Sequence, residues 1–445
     1  MTVTFLGIDV GTTNLKICVI DKAGKVLYEK SKSHDSFVIT NVGQHEQDSR
    51  KILQRLWDLL REANSNNLLK SVQRITVTGQ MHGIVFWNSK LDFWSCKSHD
   101  YSNLITWMDQ RCDSKFLESL PIWRKRDGAK LAFVATGYGI ATLLWLQRNG
   151  MLQSNWDCCG SIMDLVGFVL GCKSSVMSDQ VAYSWGFVTE DMEWQQDIVD
   201  MLPHSLSLPV IKPAGEYSNL KDCNEYFTSG VRLYVPIGDL QATLYGFVSD
   251  KCAVMHLGTS AQVAFCSKTC DIPPEYNHLL EVPYFDGYKL IVAASLNGGN
   301  AIDNFVHVIS RYHDQLFGKT TSSLNQKALN ECLTVSSQDS DIEIQPLFLG
   351  ERHSSTGAQI TNLRADTSLE ACLTAIRKGV VVNLEKMLPV KLLSDSGISS
   401  MTLLNRAASD EVCFESATEV FAPLRVTRND DNVSAAFGAA QSCLR

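Results

Sequence analysis

On either side of a polar tip, Gly11-Thr12-Thr13, the chain alternates apolar and polar residues: Val3 and Phe5 before it, then Leu15, Ile17 and Val19 interleaved with Asn14, Lys16 and Cys18. That period of two puts one face of each strand in a core and predicts a hairpin. Asp21-Lys22-Ala23-Gly24 turns the chain into Lys25–Glu29, a third antiparallel strand. The pattern then becomes helical, with Ile52, Leu53, Leu56, Trp57, Leu59 and Leu60 clustered after Asp48-Ser49, which can cap the helix start. Arg74–Thr78 reads as the next strand, and it runs into the glycine-bounded loop Gly79-Gln80-Met81-His82-Gly83. Much later, Val254–Phe265 repeats the opening: apolar strand, Gly258-Thr259-Ser260 tip, apolar strand. Leu373, Ile376, Val380, Val381, Leu384 and Leu388 follow at helical spacing. Two halves that open on the same hairpin predict a duplicated α/β domain with a ligand held between the copies.

Composition narrows the class. A chain of 445 residues, 45% hydrophobic and 20% charged, has material for two cores. The net charge is −8 and no Lys/Arg block occurs, so neither nucleic acid nor a membrane surface is an expected partner. The 14 cysteines show no paired Cys-x-x-Cys spacing, which favours reduced core thiols over metal ligands. No apolar run approaches bilayer-spanning length, and Asp9 interrupts any export-type stretch, so a cytoplasmic enzyme acting on a small molecule is expected.

Three places carry candidate chemistry. At the first tip, Gly11 is expected to take turn dihedrals closed to other residues, so that backbone N–H groups converge on a phosphate beside the Thr12 and Thr13 hydroxyls. Asp9 supplies a carboxylate where Mg²⁺ could be held through waters. No Gly-Lys-Ser/Thr opens a helix here, so this is not a Walker loop, and an ordinary hairpin with a polar tip fits the same residues. In Thr106–Arg111, an extended chain would set Trp107, Asp109 and Arg111 on one face, suited to a polyhydroxylated ligand; a plain ion pair is the alternative. Asp239 follows Gly238 at the end of an apolar run and is a candidate general base, although Gly-Asp also serves simple turns.

Together, Gly7–Thr13, Gly79–Gly83, Gly238–Ala242 and Leu257–Ser260 resemble the FGGY family of carbohydrate kinases, and the likeness extends to Ala435–Ala440. Within the family it is greatest to the enzymes acting on sedoheptulose, through Ser178-Asp179-Gln180, Ser184-Trp185-Gly186, Val134–Gly139, Ala293–Asn300 and Leu349–His353. The resemblance implies two ribonuclease-H-like, actin/hexokinase-type α/β domains flanking a central cleft. Residues 1–245 would form the N-terminal domain, with the sugar site, first phosphate hairpin and base; residues 246–445 would form the ATP-binding C-terminal domain. It implies ATP and Mg²⁺ as cofactors. The nucleotide would lie on Gly11, Thr12, Thr13, Lys16, Gly258, Thr259, Ser260 and Asn405, with the metal at Asp9. The sugar would meet Gln80, Met81, His82, Trp107, Asp109 and Arg111, and Asp239 would take the proton from its terminal primary hydroxyl. The product would be sedoheptulose 7-phosphate, feeding the pentose phosphate pathway, and there is room for a homodimer.

One segment departs from the family pattern. The family lays adenosine against a glycine-rich turn, yet residues 398–437 contain no glycine. Leu403 and Leu404 are expected to crowd the nucleotide, Asn405 to serve as a polar contact, and Ser434 replaces an acidic residue. Two functional classes therefore stand: an active ketose kinase, with xylulose or ribulose as alternative sugars, and a sugar-binding pseudokinase with an impaired ATP site.

Overall fold

The computed structural model describes residues 3–90, 100–125, 134–220, 226–228, 230–269, 272–318, 329, 331–333, 341–351, 354, 356–429 and 433–445. Arg352 and His353 of the Leu349–His353 motif lie outside them. The chain forms two compact units. The first comprises Met1–Gly246, Pro283–Gly287 and Ser434–Arg445; the second comprises Phe247–Val282 and Tyr288–Val433. A cut at residue 245/246 therefore leaves out two returning segments, because the end of the chain packs on the sheet where the chain began.

In the first unit, β1 (Thr4–Val10), β2 (Asn14–Asp21) and β3 (Val26–Ser33) form the expected antiparallel meander. Helix α1 (Ser49–Ser65) follows, and the Asp48 carboxylate accepts from the Arg50 and Lys51 amides. β4 (Val72–Gly79) then pairs parallel with β1. After α2 (Asp179–Trp185), β5 (Tyr217–Asn219), β6 (Arg232–Tyr234) and β7 (Ile237–Gly238) complete a sheet ordered β5-β6-β4-β1-β2-β3, with β7 also against β4. The apolar faces of β1, β2 and β4 meet α1 in one core with Leu6, Ile8, Ile17, Leu56, Leu60 and Val77.

The other sheet face is closed by the last helix, Ala435–Ser442, against Phe5, Cys18 and Ile20. Its small residues set a close approach. A Cβ on Gly7 would overlap the Ala436 carbonyl oxygen, and one on Gly438 would overlap that of Ala242. Ser434 caps this helix, accepting from the Phe437 amide at 3.1 Å while its hydroxyl donates to Glu29 at 2.6 Å. Arg74 reaches the end of the chain, donating to the Cys443 and Arg445 carbonyls at 2.5 and 2.6 Å.

The second unit repeats the plan. α3 (Asp239–Leu244) closes the opening segment of the first; β8 (Cys252–Leu257), β9 (Ala261–Ser267), β10 (Leu280–Pro283) and β11 (Lys289–Ser295) follow. After α4 (Asn300–Phe317) and α5 (Leu369–Met387), β12 (Ser400–Asn405) and β13 (Arg425–Arg428) finish a sheet ordered β10-β11-β9-β8-β12-β13. β8, β9 and β11 are antiparallel, while β12 pairs parallel with β8 and β13 with β12. The order β11-β9-β8-β12-β13 is that of β3-β2-β1-β4-β6. Duplication inferred from two hairpins thus holds at the level of sheet topology.

Candidate active site

Parallel strands end together, so their following residues collect at one edge of the sheet, the usual ligand end of an α/β unit. In the first unit, Val10 of β1 pairs with Gly79 of β4 and Gly79 with Gly238 of β7. The residues beyond these ends are Gly11, Gln80 and Asp239.

Gly11 closes the hairpin by donating to the Asn14 carbonyl at 3.0 Å. The expectation of special dihedrals is corrected: Gly11 is not among the positive-φ residues, and the constraint is room, since a Cβ there would sit 3.0 Å from the Asn14 oxygen. The tip is held by side chains that its own sequence does not announce. His34 Nε2–H donates to the Gly11 carbonyl at 3.1 Å and Ser36 donates to His34 Nδ1 at 2.7 Å. Gln47 donates to the Thr12 carbonyl at 2.7 Å, and Gln80 Nε2 donates to Gln47 at 2.9 Å and to Gly11 at 3.4 Å. Gln80 Oε1 is buried without a hydrogen-bond partner. Thr12 accepts from the Trp107 indole at 3.1 Å, and Thr13 is exposed.

Asp9 faces Lys16 across the β1–β2 pair. Burial carries its carboxyl up to about 7, the charge of Asp239 adds to that, and Lys16 opposes it. Asp239 opens α3, and its Oδ1 accepts from the Leu240 amide at 2.8 Å. Its side chain is exposed to solvent, yet the surrounding protein desolvates the carboxyl enough to raise it above the ordinary carboxylate value, against the backbone hydrogen bonds. Gly238 approaches closely; a Cβ there would lie 2.7 Å from the Met81 sulfur. The amide of Gly238 donates to Gln180 Oε1 at 3.2 Å, so Gln180, which the sequence offered only inside a motif, holds the residue before Asp239.

His82 adopts a left-handed backbone, φ 68°. Its Nδ1–H donates to the Ser184 carbonyl at 2.7 Å, and its ring stacks on Tyr138 with centroids 4.7 Å apart. The Ser184-Trp185-Gly186 motif thereby gains a role, because the Trp185 indole also donates to the Gly83 carbonyl at 3.2 Å.

Thr106–Arg111 is a turn, not an extended strand: the Asp109 amide returns to the Thr106 carbonyl at 3.1 Å. Trp107 is 46% exposed, whereas Asp109 is 0% exposed and the Arg111 side chain 2%. The Asp109 carboxylate accepts from the His45 amide at 2.8 Å, and from the Arg111 amide, Nε and Nη2 at 3.0, 2.8 and 2.9 Å. Arg111 also reaches Glu46 at 2.8 Å. Asp109 and Arg111 therefore do not form an open extended face; they make an internal ion pair that fixes the loop presenting Trp107.

In the second unit, Gly258 closes the tip on the Ser260 carbonyl at 2.9 Å. Gly299 and Asn300 donate to the Gly258 and Thr259 carbonyls at 2.9 and 3.2 Å. His256 Nδ1–H donates to Gln262, whose amide donates to Ser260 Oγ at 2.9 Å. Beneath the tip, Glu351 accepts from Ser295 at 2.5 Å, from the Leu296 amide at 3.0 Å and from Asn383 at 3.0 Å. Leu403 and Leu404 are both 0% exposed, inward-packed residues of β12, so the expected crowding of a nucleotide by their side chains is corrected. Asn405 takes the turn instead, at φ 54°. Its side chain bridges both backbone groups of Val433, accepting at 2.9 Å and donating at 3.1 Å.

Residues 4–245 match the model of the FGGY family of carbohydrate kinases, N-terminal domain. The chain belongs to that family. It is 32% identical to the sedoheptulokinase of Mus musculus over 98% of this chain and 96% of the mouse protein. It is likewise 32% identical to the human sedoheptulokinase, over 99% of this chain and 97% of that one. Among solved structures, xylulose kinase from Rhodospirillum rubrum superposes with a TM-score of 0.77 at 17% identity, covering 99% of this chain and 89% of that one, a likeness of fold. As an FGGY carbohydrate kinase the chain has a sugar and ATP as its substrates. Among the described residues no helix is long and apolar enough to cross a membrane, and no group of three or more His, Cys, Asp or Glu side chains gathers as a metal cluster.

Proposed function

We propose that the chain phosphorylates the terminal primary hydroxyl of a ketose, sedoheptulose, giving sedoheptulose 7-phosphate for the pentose phosphate pathway. The observation that carries the reading is the gathering of Asp239, the Gln80-Met81-His82 loop and the Gly11-Thr12-Thr13 tip beyond the ends of β7, β4 and β1. The two sedoheptulokinases, similar over nearly their whole length, support the choice of sugar.

In this reading Gln80, Met81 and His82 orient the sugar and Trp107 covers one face. Asp239 accepts the hydroxyl proton as the oxygen attacks the γ-phosphorus, and its raised affinity for protons suits a base. Each unit carries its own phosphate-binding candidates: Gly11, Thr12, Thr13 and Lys16 in the first, and Gly258, Thr259, Ser260 and Asn405 in the second. Positioned amides and charge carry most of such a phosphoryl transfer. Asp9 fits a Mg²⁺ site on its own chemistry: two carboxylates acting on each other, one pushed up to about 7, are relieved by a divalent cation. Mg²⁺ would neutralise charge on the phosphates when bound.

The glycine-free turn favours a second reading, a sugar-binding protein with little turnover. One assay separates them: ADP release with saturating Mg-ATP and sedoheptulose, xylulose, ribulose or glycerol. Sedoheptulose-dependent release supports the kinase. No release with any sugar, while sedoheptulose still raises the melting temperature, supports the second reading.

A further inference from the structure

The two units share a register that gives one unexplained residue a place. In the first, Val10 pairs with Gly79, and Gln80 comes next, donating to the carbonyl of the hairpin glycine, Gly11. In the second, Leu257 pairs with Asn405, and Arg406 comes next, beside the hairpin glycine, Gly258. Arg406 is the counterpart of Gln80. The turn at Asn405 sends its guanidinium to the hairpin: a Cβ on Gly299 would lie 2.5 Å from Arg406 Nη1 and 2.8 Å from the Gly258 carbonyl oxygen.

The side chain is exposed, and among the described residues its guanidinium has no carboxylate or carbonyl partner. An exposed cation beside a glycine-bearing hairpin, with no hydrogen-bond partner for its guanidinium among the described residues, matches the oxygens of a polyphosphate, which the planar guanidinium fork can engage two at a time. We propose that Arg406 binds the phosphate chain of the nucleotide, taking over by charge what the missing glycine turn would have supplied by close backbone approach. A side chain at Gly299 would displace the guanidinium from this position.

The inference rests on the nucleotide site of the reading above. Calorimetry of the parent, Arg406→Ala and Arg406→Lys with Mg-ADP, adenosine and sedoheptulose tests both separately. The expected result is Mg-ADP affinity about 10–100-fold weaker in Arg406→Ala, partial recovery in Arg406→Lys, and unchanged affinity for adenosine and sedoheptulose. Unchanged or tighter Mg-ADP binding by Arg406→Ala overturns the inference and leaves the kinase reading standing, the tighter case marking the guanidinium as a plug. A parent that binds sedoheptulose but no Mg-ADP overturns both. An equal loss for adenosine and Mg-ADP also overturns it, since that reports a collapsed turn.

Discussion

Asp239 opposes the ionisation of Asp9: after burial, its charge is the largest influence lifting the Asp9 carboxyl to about 7, against the pull of Lys16. The two acids belong to one unit, at the ends of β1 and at the start of α3, and their coupling makes each sensitive to the loss of the other.

Asp239→Asn keeps the Leu240 amide contact through its remaining oxygen but cannot accept a proton. Its turnover should fall about 10²–10⁴-fold while sugar affinity changes little. Steady-state ADP release alongside sugar calorimetry checks this, and near-parental turnover would remove Asp239 from the role of base.

Asp109→Ala leaves Arg111 buried with only Glu46 to answer its charge. Breaking a buried pair in this way costs about 3–5 kcal/mol, so the urea midpoint should drop sharply, while sugar affinity of the folded fraction falls only as far as the loosened Trp107 loop accounts for, no further than in Trp107→Ala. A variant as stable as its parent but unable to bind sugar would restore Asp109 as a ligand contact.

Gly438→Ala drives a methyl into the Ala242 carbonyl at the seam between the last helix and α3. The expected loss is about 1–3 kcal/mol, read as a lower melting temperature. The same substitution at Gly150, where nothing lies within 4 Å of the added carbon, tests backbone strain alone, since its φ is 66°.

Asp164 is buried, accepts from the Ser161 amide and hydroxyl at 2.7 Å each, and has a second oxygen without a partner. Burial raises its carboxyl from 3.8 to about 7. The folded state therefore holds the proton more tightly than the unfolded chain. Its contribution to stability is full below pH 4 and declines as pH rises from about 4 to 7. In Asp164→Asn that decline should vanish, flattening the melting temperature against pH across this window; an unchanged slope would show that Asp164 ionises normally in the fold.

The meander, α1, β4, the second hairpin and α5 were legible because strand and helix periods act locally. The place of Asp239 was legible too, as a carboxylate straight after a strand end. What local pattern could not give was burial. Asp109 and Arg111 look alike whether they face a ligand or each other, and only the turn at Thr106–Asp109 decides. Leu403 and Leu404 look obstructive beside a family glycine motif, yet pairing with β8 draws them into the core. His34, Gln47 and Gln180 serve the site from distant segments, and no spacing marks them. Ser434 reads as a lost acid but works as a helix cap.

The first unit is begun first and completed last. Its sheet stays bare on one face until Ala435–Ser442 arrives, and Arg74 waits for the carbonyls of Cys443 and Arg445. During synthesis, when domains fold as they emerge, the chain of every described strand of the second sheet is made before that helix is. The first unit thus reaches its final form only after the strands of the second have been made, and Phe5 and Cys18 belong to the apolar surface left uncovered in the interval.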